Sequence, residues 1–167
     1  MHSTSSTAAA VGNAFLHLYR NDPSVPFIDQ MKLQKLIFYS HAWYLGINSK
    51  DLFPEDIHAW PWGPVVPDIY SQTSVYGRLP VTEFLRSMDS KGSWHVPVIA
   101  DESIKAHINS IWNTHKHFTG IQLSNSTHET GEPWQIVFSS YSGDLSAKPV
   151  IPNALIQEVF RNKINAA

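Results

Sequence analysis

The most apolar run of the chain is Met31-Lys32-Leu33-Gln34-Lys35-Leu36-Ile37-Phe38-Tyr39-Ser40-His41-Ala42-Trp43-Tyr44-Leu45-Gly46-Ile47. Leu33, Leu36, Ile37, Phe38, Tyr39, Ala42, Trp43, Tyr44, Leu45 and Ile47 cover most of the circumference when this run is wound at 3.6 residues per turn. A helix apolar nearly all round has to lie inside the protein. Asp29 is placed to cap its start, and Gly46 and Asn48 supply stop signals. The run therefore predicts a central helix with Trp43 buried. Lys32 and Lys35, beside Gln34, read as a small polar strip facing solvent.

Working outward, Val11, Ala14, Phe15, Leu18 and Tyr19 fall at helical spacing and end at Asn21-Asp22-Pro23-Ser24-Val25-Pro26, where two prolines resist the helical region. Downstream, Ile57-His58-Ala59-Trp60 alternates like a short strand, and Trp94, Val96 and Val98 alternate in the same way up to Ile99. The two segments are expected to pair as a small ribbon. Pro67 suits the first position of a helix that ends at Gly77. Pro80 to Ser93 is a connector with one helical turn expected over Glu83–Arg86. Asp101 or Ser103 caps a helix carrying Ile104, Ile108, Ile111, Trp112 and His115 on one stripe. Short helices follow from Thr119 or Gly120 and from Pro133, and a last one runs from about Asn153 to Asn165 with Leu155, Ile156, Val159, Phe160 and Ile164 on one face. The fold class is mainly α: a single compact helical domain around a central hydrophobic helix, with a small two-stranded β-ribbon.

At 167 residues the chain is long enough for one self-sufficient core. It has no cysteine, which excludes disulfides, thiolate metal sites and cysteine nucleophiles. Twelve Lys+Arg against fourteen Asp+Glu give a net charge of −2, without the basic stripe of a nucleic-acid binder. No run approaches the roughly 18 apolar residues that span a bilayer, and the N-terminus lacks the pattern of a signal peptide, so a cytoplasmic protein is expected. With 16% charged residues, six Trp, six Tyr and eight Phe, the chain has aromatics for both a core and a partner surface.

Two blocks carry more than periodicity. The first is Lys32-Leu33-Gln34-Lys35-Leu36-Ile37-Phe38-Tyr39-Ser40-His41-Ala42-Trp43, then Leu52-Phe53, then Ala59-Trp60-Pro61-Trp62-Gly63-Pro64-Val65-Val66-Pro67-Asp68-Ile69-Tyr70. The second is Leu123-Ser124, Thr127-His128 and Gly131-Glu132-Pro133-Trp134. Together they resemble the Panacea domain, the antitoxin domain of bacterial and phage toxin–antitoxin pairs, a phage-associated family that includes SocA-like antitoxins. The resemblance covers residues 32 to 134, with residues 1–10 expected to be a flexible N-terminus and 11–167 the Panacea-like domain. It implies an antitoxin that neutralises a cognate protein toxin by direct binding, without catalysis. A proteolytic adaptor delivering the toxin to an ATP-dependent protease is the alternative in the same setting, and a metal-dependent hydrolase the alternative from another class. Because one scaffold serves many partners, the resemblance does not name the toxin.

Gly63, Pro64 and Pro67 read as a rigid corner between ribbon and helix. Within it, Trp62 stands where the family varies and is the candidate anchor for the partner, with Tyr70 as the second contact. Trp134 is expected to plug the core and His128 to hydrogen-bond a backbone group. Nine histidines raise the question of metal, but His115 and His117 diverge on a helix and His107 and His115 are about 12 Å apart along it. Only a set assembled across the fold from His41, His58 or His128 stays open. No nucleophile elbow, phosphate loop or paired-carboxylate motif occurs. The reading assigns no catalytic residue, no cofactor and no metal; the oligomeric state is left open.

Overall fold

Asp29 opens the central helix α2 (Gln30–Asn48) by accepting the Lys32 N–H at 2.8 Å. The computed structural model describes residues 6–167 and packs α2 against five of the six other α-helices. Around it lie α1 (Ala8–Arg20), α3 (Pro67–Thr73), α4 (Glu102–His115), α5 (Gly120–Thr127), α6 (Pro133–Ser140) and α7 (Asn153–Ala166). Leu33, Leu36, Ile37, Phe38, Ala42 and Leu45 of α2 are buried on all sides, as a helix without a polar face requires. Capping follows the local chemistry: Thr7 opens α1, Asp101 opens α4, and Thr119 with Gln122 forms a reciprocal capping box at α5. Pro67 and Pro133 take the first-turn positions of α3 and α6.

α1 starts three residues before the apolar spacing suggests. Of the expected flexible N-terminus, residues 1–5 lie outside the described residues, while Ala8, Ala9 and Ala10 are buried in helix because their small side chains fit against the core. Trp43 is half-buried, short of the burial expected, with its ring edge-on to Phe160 at 4.9 Å. Gly46 does not stop the helix. A Cβ there would sit 2.9 Å from Cβ of Phe160, so the glycine lets α7 cross close to α2. The stop comes at Ser49, in the left-handed region, and the Arg161 guanidinium donates to the Gly46 carbonyl and to Ser49 Oγ, closing the helix end.

The ribbon expected between Ile57–Trp60 and Trp94–Ile99 does not form. Instead β1 (His58–Trp60) pairs with β2 (Gly63–Val65) through a two-residue turn, and β3 (Ser87–Met88) pairs separately with β4 (Trp94–His95). Closing a two-residue hairpin costs far less chain entropy than bringing together strands more than thirty residues apart. The helical turn expected over Glu83–Arg86 is also absent. The carboxamide of Asn13 binds the backbone of Leu85, that of Gln72 binds the backbone of Arg86, and both hold the segment extended. The domain stays mainly α, with two small ribbons in place of one. Among the described residues no helix is long and apolar enough to cross a membrane.

Candidate functional site

The hairpin β1–β2 is where the sequence blocks meet. Its turn is Pro61-Trp62, and Gly63 leaves it at φ +115°, a conformation that favours glycine. Space demands glycine as well: a Cβ would lie 2.8 Å from Cε of Lys35 and 2.8 Å from Oγ1 of Thr127. Trp60 faces Gly63 and His58 faces Val65 across the ladder, so the backbone groups of Ala59 and Pro64 turn outward. On the β1 side a third extended segment covers the edge: Ala59 N–H donates to the Pro149 carbonyl and Ile151 N–H to that of Ile57, both at 2.8 Å.

On the β2 side no strand follows, and α2 supplies the missing partners. Gln34 forms a two-point clamp on Val66, with Oε1 accepting its N–H at 2.9 Å and Nε2 donating to its carbonyl at 3.1 Å. Lys35 Nζ donates to the Pro64 carbonyl at 3.1 Å. Lys32, Gln34 and Lys35 are all buried, so the expected solvated strip is corrected: two of these polar side chains satisfy a sheet edge inside the protein. Burial pushes the Lys35 ammonium down to about 7, against a weaker opposing pull from Asp29. The signal available in the sequence was the presence of these groups on a helix with no exposed face.

The second block grips the same hairpin through α5 on β2 and α6 on β1. Ser124 Oγ donates to the Trp62 carbonyl at 2.6 Å and Trp134 Nε1 to the Trp60 carbonyl at 2.7 Å. Trp134 is buried, as expected of a core plug, and is sandwiched between His128 (3.8 Å, nearly parallel) and Phe138 (4.9 Å). His128 does not make the expected backbone bond. Its Nε2 is buried without a partner among the described residues, and desolvation, followed by the nearby Lys35 charge, holds its pKa below the usual histidine range.

The result is a hairpin held at the alternate carbonyls of Trp60, Trp62 and Pro64, with the Trp62 side chain free. Trp62 is 70% exposed and, among the described residues, has no aromatic neighbour. Tyr70, 40% exposed at the second turn of α3, packs edge-on against Trp60 at 4.8 Å and not on Trp62. The sequence did not single out Trp60 itself, over whose ring the Lys148 ammonium sits at 4.6 Å. A cation held over an indole face is an attractive contact.

The three histidines left open as a set lie in different surroundings. His41 Nε2 meets Oδ1 of Asn153 at 3.0 Å, His58 Nδ1 meets the Lys148 carbonyl at 2.7 Å, and His128 lies against Trp134. Among the described residues no three histidine, aspartate or glutamate side chains gather as a metal-binding group would. The geometry around the hairpin presents a rigid aromatic tip on a polar-clamped base, an arrangement suited to contact with another macromolecule.

The family described as antitoxin SocA-like, Panacea domain, matches residues 33–135. A curated relative, the antitoxin SocA of Caulobacter vibrioides, is 26% identical over 136 residues, covering 80% of this chain and 72% of that protein. No solved structure matches.

Proposed function

Since the chain belongs to the SocA-like Panacea antitoxin family, we propose that it neutralises a cognate protein toxin by direct contact, anchored at Trp62 with Tyr70 beside it. It works as a binding protein in the cytoplasm, without catalysis or cofactor. The observation that carries this reading is the exposed indole at the tip of a hairpin whose Trp60, Trp62 and Pro64 carbonyls are held by Trp134, Ser124 and Lys35. A side chain on such a frame has little backbone entropy left to lose on binding, so its buried area converts efficiently into affinity.

The test is Trp62→Ala, assayed against the toxin encoded beside this gene. Thermal stability should be unchanged, because the ring touches little of the fold. Toxin affinity should fall by about 2 kcal/mol or more, roughly thirtyfold, the size of an interface hot spot. Tyr70→Ala should have a smaller effect on binding, since part of its ring already packs on Trp60. Undiminished binding by Trp62→Ala refutes the anchor. Neutralisation that occurs in purified mixtures only when an ATP-dependent protease is added would replace direct inhibition with toxin delivery.

A further inference from the structure

The hairpin segment from Ile57 to Pro67 and the segment from His117 to His128 contain no Lys, Arg, Asp or Glu. The fold joins them, since α5 packs on β2 and its Ser124 Oγ donates to the Trp62 carbonyl at 2.6 Å. Ile121, Ser124 and the C-cap His128 stand at i, i+3 and i+7, one line along α5. Ser124 holds Trp62, while His128 stacks on Trp134, whose Nε1 donates to the Trp60 carbonyl. The hairpin therefore runs alongside this line, from Trp60 near His128 to Trp62 at Ser124. One turn further on stands Ile121. Residues three apart on a helix have Cβ atoms about 5–6 Å from each other, so Ile121 lies within one turn of the residue that grips the hairpin tip.

Ile121 is 67% exposed, close to the 70% of Trp62, and Phe118, in the turn before the Thr119 cap, is half-exposed as well. The other exposed residues of α5 on this side, Gln122 and Asn125, are uncharged. The capping box of Thr119 and Gln122 fixes the first turn of α5 and Ile121 within it. Ile121 is thus held as firmly as Trp62, with little backbone freedom left to lose on contact. The one cation at the hairpin with an aromatic partner, Lys148, is folded over the Trp60 ring.

We propose that Ile121 and Trp62 form one uncharged contact face, and that the toxin meets it with an apolar surface and not with a basic or acidic one. The inference rests on the reading of Trp62 as the toxin anchor and adds α5 to the site, together with the chemistry of the partner. Depletion of charge is the compositional mark of an interface centre. A face that offers no charge gives a charged partner nothing to pair with, and a charge pressed against it would lose its water without compensation. Association through such a face gains little from electrostatic steering, so its affinity depends weakly on salt.

Ile121→Asp tests this on the full chain, with the toxin encoded beside this gene as the probe. A carboxylate in the first turn of a helix is favoured by the helix dipole, so the melting temperature should hold. Toxin affinity should fall about a hundredfold, because the new charge is stripped of water against an apolar partner. Ile121→Ala should cost about tenfold. Val98→Asp, at a comparably exposed position after β4, should change nothing. For the unsubstituted chain, raising salt from about 0.1 M to about 0.5 M should move Kd by less than about threefold. Full affinity in Ile121→Asp alongside a loss in Trp62→Ala overturns the shared face and leaves the Trp62 anchor standing. Undiminished binding by Trp62→Ala overturns the anchor, and this inference with it. An equal loss in Val98→Asp, or a steep fall in affinity with salt, overturns the uncharged contact. If Ile121→Asp melts early, Ile121→Ala decides, and unchanged affinity there overturns the proposal.

Discussion

Replacing Lys35 with methionine should remove a specific pH dependence of stability. Lys35 is buried, donates to the Pro64 carbonyl, and is held at about 7 in the fold against 10.5 for a lysine in water. Between those values the unfolded chain carries a proton that the folded chain has released, so stability rises with pH. Each pH unit with one full proton of difference is worth about 1.4 kcal/mol. Starting at pH 7, where the folded ammonium is half-deprotonated, the gain on reaching pH 9 integrates to about 2 kcal/mol. Lys35→Met is one atom shorter than lysine, is unbranched like it and has no proton to release, so this gain disappears. The substitution also leaves the Pro64 carbonyl without a donor, at a cost of about 1–3 kcal/mol that does not vary with pH. Lys32, whose pKa burial also lowers, is common to both proteins and cancels in the comparison. Urea titrations of both proteins at pH 7, 8 and 9 give the difference directly. Wild type should gain on the variant by about 2 kcal/mol over that range; parallel curves would show that Lys35 keeps its proton in the fold and would refute the reasoning.

Gly63→Ala should destabilise by about 3 kcal/mol, combining a left-handed backbone with overlap on Lys35 and Thr127, and an unchanged urea midpoint would refute the close approach. Gly46→Ala gains helix propensity of up to about 1 kcal/mol but pushes on the backbone of α7 at Phe160, so a net loss of about 1–2 kcal/mol is expected; a stabilised variant would mean that the helices separate freely. Gln34→Leu strips partners from both backbone groups of Val66 and should cost about 3 kcal/mol, with faster amide exchange at Val66 as the local readout.

The candidate site was half legible from sequence. Pro61-Trp62-Gly63-Pro64 announced a rigid turn, because proline and glycine act on their own dihedrals wherever they occur. Trp62 and Tyr70 are both exposed, and the ring that Tyr70 touches is Trp60. The roles of Gln34 and Lys35 were misread. A polar residue on a helix carries no local mark that tells a solvated strip from a buried clamp.

What the sequence determined by itself is whatever repeats at short range. The stripes of α1, α4 and α7, the all-round apolar surface of α2, and the caps at Asp29, Asp101 and Thr119 are each set within one or two helical turns, where 3.6-residue geometry turns spacing into a face. Tertiary structure alone decided the pairings. β1 joined β2 and not β4, the Asn13 carboxamide tied Leu85 to Pro97, and Gly46 became a helix crossing instead of a helix end. Each outcome depends on which backbone groups are left unpaired when distant segments meet. That remainder is a property of the assembled core, and no stretch of the chain carries it alone.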